Sequence, residues 1–351
     1  MIKNRAISQL LLVLIIGVFI GCSSSDEFVP MVEAPDVIVV NEGNFGDADG
    51  SFSTFNSTSG LAEIQAFQKV NGAGINGIIQ NAVLHQGAIF ATTNSADKLE
   101  IFDASSFIST ATISSGLTTP YDFAASGLKG YVSNWGTFNG TTFVYEGGFI
   151  AVIDLRDYTI SKQIDRATRP QGLLVVNGKL YITNVDSNSI SVFNTTNDQF
   201  IADIDVAGGP DKMVLDGNDM IWVLCNTGHL VRIDPVADEV EMTITGVQAS
   251  GFNEKMVTNH EADRLYYLSI MGFDPSFGAV YAFNIEDITA PSTPIVTGNN
   301  LYGIGVHPDD ILYLANNNAF QGTGTVIRYK LDGTEIDNFA AGRGPNGFIF
   351  R

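Results

Sequence analysis

The sequence predicts an all-β fold: a seven-bladed β-propeller of four-stranded blades, with the C-terminal strand completing the N-terminal blade. Three observations carry this expectation. One unit of short β-rich runs recurs six times inside the chain, always in the same order. The step from Pro170 to Pro210 is 40 residues (210 − 170), close to the ~40–45 of a four-stranded blade. The chain stops one strand into a further unit, at Gly344-Pro345-Asn346-Gly347-Phe348-Ile349-Phe350-Arg351. A β-sandwich, the structural alternative, explains neither the even spacing nor the final half-unit.

The first element is a signal segment, residues 1–21. Lys3 and Arg5 give its start a positive charge, residues 10–20 form an apolar run, and Phe19-Ile20-Gly21-Cys22 closes it. The run is well short of the roughly 20 residues that span a bilayer, so it reads as removable. Its close resembles a bacterial lipobox, which implies cleavage before Cys22 and a lipid anchor on that thiol in the outer membrane. Residues 22–35 follow as a flexible tether. Within it, Ser23-Ser24-Ser25-Asp26-Glu27 resembles the acidic export signal of Bacteroidota surface lipoproteins, implying display on the cell exterior, with periplasmic retention as the alternative.

Residues 36–351 read as a single domain, because nothing in them has the composition of a linker. Val37-Ile38-Val39-Val40-Asn41, Ser51-Phe52-Ser53-Thr54-Phe55 and Leu61-Ala62-Glu63-Ile64 give the first blade three strands but no inner one. The clearest full copy begins at Pro170-Gln171-Gly172-Leu173, turns at Asn177-Gly178, and continues through Lys179-Leu180-Tyr181-Ile182-Thr183-Asn184, Ser189-Ile190-Ser191-Val192-Phe193 and Phe200-Ile201-Ala202-Asp203-Ile204. Asn-Gly favours a type I′ hairpin, whose two central residues need positive φ. The middle strands of this copy reappear around Phe90 and Ile101, Val132 and Ala151, Val223 and Val231, Tyr267 and Tyr281, and Leu314 and Ile327.

Removal of residues 1–21 takes two of the 18 basic residues and leaves 16 against 38 acidic ones, a formal charge of −22. So anionic a surface repels phosphate backbones, which argues against nucleic acid as a partner. Cys225 lies in the apolar run Ile221-Trp222-Val223-Leu224 and reads as a buried core thiol, with no disulfide partner once Cys22 is acylated.

Gly178-Lys179-Leu180-Tyr181-Ile182-Thr183-Asn184, with Ser189-Ile190-Ser191-Val192-Phe193 and the later Gly208-Gly209-Pro210, resembles the YVTN or YncE-like propeller family across most of the chain. The opening Val39-Val40-Asn41-Glu42-Gly43-Asn44-Phe45-Gly46 is similar to the first blade of surface propeller lipoproteins that partner TonB-dependent transporters. One branch of those captures cobalamin. The resemblance therefore implies a non-enzymatic lipoprotein that binds a scarce nutrient, with a corrinoid as the named ligand, and passes it to such a transporter.

In a propeller, the strand 2–3 loops and the blade-to-blade loops emerge on one face around the channel, where repeat folds usually carry function. Four strand 2–3 loops are long and rich in Asn and aromatic residues: Asn44 and Phe45; Asn134, Trp135 and Phe138; Met271 and Phe273; and Asn316, Asn317 and Phe320. The blade-to-blade loops add Tyr121, Asp122, Arg169, Gln171, Asp211, Lys212, Phe252, Asn253, Tyr302 and Asn346, which should ring the channel mouth. Aromatic faces and amides together suit a large neutral ligand with polar edges. Asn94, Asn184 and Asn226 read instead as turn caps.

Catalytic signatures are thin. His85, His229, His260 and His307 fall in different blades without metal-ligand spacing, and no nucleophile elbow or phosphate loop occurs. Asp47-Ala48-Asp49-Gly50-Ser51 resembles part of a calcium loop but lacks its later glutamate, so no metal or cofactor is expected. Two further functions stay open. A protein-binding scaffold or adhesin would present a flat face where a small-molecule binder has a pocket of several hundred Å³. A calcium-dependent lactonase would need Asp122, Asp211 and Glu254 to converge on one point.

Overall fold

Alternating apolar runs bounded by turn residues form strands wherever the repeat predicts them. The computed structural model describes residues 34–165, 169–270 and 277–351, and these residues build seven four-stranded antiparallel sheets. Blade 2 comprises Ile79–His85, Ala88–Thr93, Lys98–Asp103 and Ser109–Ile113; blade 3 comprises Pro120–Ser126, Lys129–Asn134, Phe149–Asp154 and Thr159–Ile164. Blade 4 runs Pro170–Val176, Lys179–Asn184, Ser189–Asn194 and Gln199–Asp205, and blade 5 runs Pro210–Leu215, Ile221–Cys225, His229–Asp234 and Glu239–Thr245. Blade 6 is Lys255–Thr258, Arg264–Ile270, Gly278–Asn284 and Val296–Gly298, and blade 7 is Leu301–His307, Ile311–Asn316, Gly324–Lys330 and Glu335–Ala341. Asn177 and Gly178 have φ of 50° and 74°, the positive values that the tight hairpin demands.

Blade 1 closes the ring. Its strands Val37–Asn41, Ser51–Phe55 and Ala62–Glu63 come from the N-terminal side, and its inner strand is the C-terminal Pro345–Phe350. Ile38 pairs with Ile349 and Val39 with Phe348, so no central strand is left with an open edge. The helix Ala66–Asn71 between blades 1 and 2 and a hairpin of Thr137–Asn139 with Val144–Glu146 inside the strand 2–3 loop of blade 3 go beyond the repeat.

The burial pattern follows from sheets packing face to face. Second strands such as Ile221–Cys225 are buried along their whole length, while outer strands such as Glu239–Thr245 alternate with solvent. An apolar cluster fills each seam. Tyr181, Ile190 and Val192 of blade 4 meet Val223, Cys225 and Val231 of blade 5, and Trp222 and Leu230 of blade 5 meet Leu265 and Tyr267 of blade 6. Burial pushes the Cys225 thiol up to about 12, as expected of an inert core residue.

Inner strands crowd one another at the channel. A Cβ on Gly172 would stand 2.5 Å from the Asp211 carbonyl oxygen of the next blade, and one on Gly303 would stand 2.8 Å from the Asn346 carbonyl carbon. Neither backbone can retreat without opening its blade. Gly172→Ala is expected to cost about 1–3 kcal/mol, read as a lower urea midpoint at unchanged m, whereas Gly140→Ala, which meets nothing within 4 Å, should be close to neutral.

Candidate functional site

In six blades the inner strand slips register against its neighbour near its start, for example between Ile79 and Asn81, Pro210 and Lys212, and Leu301 and Gly303. These slips fall beside Gln80, Tyr121, Gln171, Asp211, Tyr302 and Asn346, one residue per blade, and Glu254 takes the corresponding place in blade 6. The propeller thereby assembles a polar ring from residues roughly one repeat apart.

Above this ring opens a cup of about 430 Å³. Phe252, Ile270, Leu301 and Phe320 supply apolar wall, while Ser250, Asn253, Tyr302 and Asn317 supply polar edges. Phe320 stands edge-on to Tyr302 at 5.2 Å, holding that ring in the wall.

A hydrogen-bonded chain crosses the channel at the base of the cup. The Tyr121 hydroxyl donates to Asn253 Oδ1 at 2.8 Å, the Asn253 amide bonds the Tyr302 hydroxyl, and that hydroxyl donates to Glu42 Oε2 at 2.6 Å. Gln80 Nε2 donates to the other Glu42 oxygen at 3.3 Å. The chain joins blades 3, 6, 7 and 1, so it ties the ring across its middle. Burial pushes the Glu42 carboxyl up, against the pull of Tyr302 and of the Lys255 charge.

Beneath the chain lies a smaller polar chamber of about 50 Å³. Its carboxylates are already bonded. Asp122 accepts from Asn81, from the Phe123 amide at 2.8 Å and from the Leu173 amide at 2.9 Å. Asp211 accepts from Gln171 and from the Glu254 amide at 2.9 Å, and Glu254 accepts from the Gly251 and Ser250 amides at 2.7 and 3.0 Å. Burial pushes Asp211 up, and burial together with the Asp211 charge pushes Glu254 up to about 8. Among the described residues, no group of three or more His, Cys, Asp or Glu is arranged to hold a metal ion.

The structure gathers part of the expected set. Phe252, Asn253, Tyr302, Asn317 and Phe320 line the cup, and Tyr121, Asp122, Gln171, Asp211 and Lys212 line the chamber. Asn346 holds the ring by donating to the Ile79 carbonyl at 3.1 Å. Phe45 is 82% exposed, and Phe138 stands on the inserted hairpin beside Phe143 and Tyr145. Asn44 bonds within its own loop, to Asp47 and Asp49, and Asn316 donates to the Asn299 carbonyl at 2.9 Å.

Two of the expected residues are buried. Trp135 is only 7% exposed: it stacks on Tyr121 at 4.5 Å beneath the Arg169 guanidinium, which is also paired to Asp186 at 2.6 Å. Asn134 is fully buried, accepting from the Thr118 amide and donating to the Val132 carbonyl. Both brace the loop from within. Met271, Phe273 and Cys22 lie outside the described residues. Sequence reasoning left out Glu42, Gln80, Asn81 and Lys255. Gln80 follows Ile78-Ile79, without the proline that precedes the corresponding residue in four of the other blades.

The calcium-like fragment has another role. Arg343 reaches Asp47 at 2.5 Å and Asp49 at 3.2 Å, at the edge of a second cavity of about 460 Å³ between blade 1 and blade 7. A guanidinium thus occupies the place where a cation would sit.

A family model described as "Domain of unknown function (DUF5074)" matches residues 36–337. A comparison with curated protein sequences finds no match. Among solved structures, a quinonprotein alcohol dehydrogenase-like protein from Bacteroides thetaiotaomicron superposes with a TM-score of 0.68 at 15% identity, covering 90% of this chain and 78% of that one. A protein from Bacteroides uniformis, provisionally named a 6-phosphogluconolactonase, gives 0.68 at 14% identity over 91% and 100% of the two chains. A similarly named protein from Bacteroides fragilis gives 0.67 at 12% identity over 92% and 99%. At these identities the likeness speaks to the fold alone.

Proposed function

The chain belongs to the DUF5074 family, and from that premise we propose that its propeller is the ligand-binding body of a surface-anchored outer-membrane lipoprotein. It takes an organic nutrient at the cup and hands it to a TonB-dependent transporter. The observation that carries this reading is the cup itself: about 430 Å³, with aromatic and aliphatic walls and a few polar edges, within the ~300–1,000 Å³ range of small-molecule sites. Such concavity favours a small molecule over the flat docking face of a scaffold. The named candidate, a corrinoid, comes from the sequence resemblance. A macrocycle wider than the cup would rest on its rim and insert one appended group between Phe320 and Phe252.

Calorimetric titration of residues 28–351 with cobalamin and with cobinamide tests the proposal. One-to-one binding is expected, weakened about 30-fold by Phe320→Ala, the size of a ~2 kcal/mol anchor loss. Absence of heat with both compounds would remove the corrinoid. Binding unchanged in Phe320→Ala would remove the cup.

A further inference from the structure

Most polar side chains around the cup are already spent. Ser250 Oγ donates to the Leu268 carbonyl at 3.2 Å and accepts from the Ile270 amide at 2.9 Å. Asn253 accepts from Tyr121 and bonds Tyr302, whose hydroxyl donates to Glu42. Asn317 differs: it lines the cup at only 2% exposure, its Oδ1 accepts from the Ala319 amide at 3.0 Å, and its Nδ2 bonds none of the described residues. A backbone N–H must face oxygen, so that bond fixes the orientation of the side-chain amide and turns its two N–H donors the other way. Nδ2 is not sealed from solvent, and for a side chain so enclosed the opening is the cup it lines.

The turn that carries Asn317 is held against its own preference. Asn318, Ala319 and Phe320 take φ of 49°, 50° and 58° in succession, in the left-handed region that Ala and Phe rarely adopt. Asn316 Oδ1 accepts from the Asn318 amide at 2.8 Å, the Asn317 backbone amide donates to the Asn300 carbonyl at 2.9 Å, and Arg343 Nε donates to the Phe320 carbonyl at 2.6 Å. Backbone strain of this kind collects at ligand clamps, and here it sets Phe320 and the Asn317 amide on the wall of one cavity.

We propose that the group entering the cup is uncharged, with an apolar body and one carbonyl oxygen, and that Asn317 Nδ2 selects it by donating to that oxygen. The inference rests on the cup being the ligand site and names what the site prefers. None of the described lining residues is charged, so an ion would lose its water without gaining a counter-charge. A cation would also meet N–H donors, and a hydrocarbon would leave a buried donor unpaired. Phe252, Ile270, Leu301 and Phe320 supply the apolar contact.

Acetophenone, benzoate, benzylammonium and toluene separate these cases. Crystals of the full chain soaked with acetophenone should place its ring between Phe252 and Phe320 and its oxygen within about 3 Å of Asn317 Nδ2. In solution, the side-chain amide resonances of Asn317 should shift with acetophenone and not with toluene. Acetophenone should bind about 10-fold more tightly than the other three, the size of one hydrogen bond in an enclosed site. Asn317→Asp keeps an oxygen for the Ala319 amide but removes the N–H donors, so it should erase that preference, whereas Phe320→Ala should weaken acetophenone and toluene alike. Asn317→Ser, which also keeps an oxygen, takes its place if the first variant fails to fold. Equal or tighter binding of any of the other three probes, or a preference that survives in the Asn317 variant, would overturn the role of Asn317 and leave the cup standing as a site. Density for none of the probes in the cup would overturn both.

Discussion

Ending the chain at Arg343 should abolish cooperative folding. That truncation removes Pro345–Phe350, the inner strand of blade 1, and with it the ladder to Val37–Asn41. Strand Val37–Asn41, whose Val37 and Val39 are fully buried in the native ring, would be left with unpaired backbone groups along an open edge. The loss spreads to blade 7, where Phe348 and Phe350 pack on Tyr313 at 5.7 and 5.3 Å. Removal of a buried Ile side chain such as Ile349 costs about 2–5 kcal/mol, and the partly buried Phe348 and Phe350 with the lost strand ladder bring the sum toward the scale of a domain's whole stability, about 5–15 kcal/mol. The truncated chain is expected to show no sharp thermal transition and to elute as aggregate. A synthetic peptide of residues 344–351 added in trans should recover part of the melt. A truncated monomer melting like the full chain would show that the ring does not depend on its closing strand.

The second large effect is a fall in stability as pH rises from about 5 to 8. Glu254 is held at about 8 in the folded protein against 4.5 for the free side chain. Between those values the unfolded chain has released this proton and the folded chain retains it, so each rise in pH favours unfolding. The shift corresponds to at most about 4–5 kcal/mol across the window. Asp211 and Glu42 are pushed in the same direction by burial and add to the slope. Lys255, pulled down by burial, acts the other way: once pH passes its lowered folded value the unfolded chain keeps a proton that the folded chain has lost, and this contribution raises stability with pH until the free side chain also titrates. Urea denaturation at pH 5.5 and 8.0 should therefore give the higher midpoint at 5.5, and Glu254→Gln should flatten the difference. Equal midpoints for the parent chain, with the variant weaker at both pH values, would mean that Glu254 is ionised throughout.

Strand order, blade count and ring closure were legible in the sequence, because each rests on local signals: alternation in Ser189–Asn194, the Asn177-Gly178 turn, and a terminal half-unit that needs a partner. The buried character of Cys225 followed from its apolar run in the same way. The site was legible only in part. Prolines marked the inner-strand starts at Tyr121, Gln171, Asp211 and Asn346, but blades 2, 6 and 7 have none, and Gln80 and Asn81 passed unmarked.

What the sequence by itself determined is a ring of seven sheets and the face on which its loops emerge. The tertiary structure decided which loop residues meet. Glu42 and Tyr302 are 260 residues apart in the chain, yet share a 2.6 Å hydrogen bond, because closing a ring brings its first and last blades together. Trp135 and Phe138 lie three residues apart in one loop, yet the first is buried under Arg169 and the second stands on an exposed hairpin. Composition cannot distinguish those two fates, since burial depends on neighbours supplied by other blades, and only packing brings the neighbours into place.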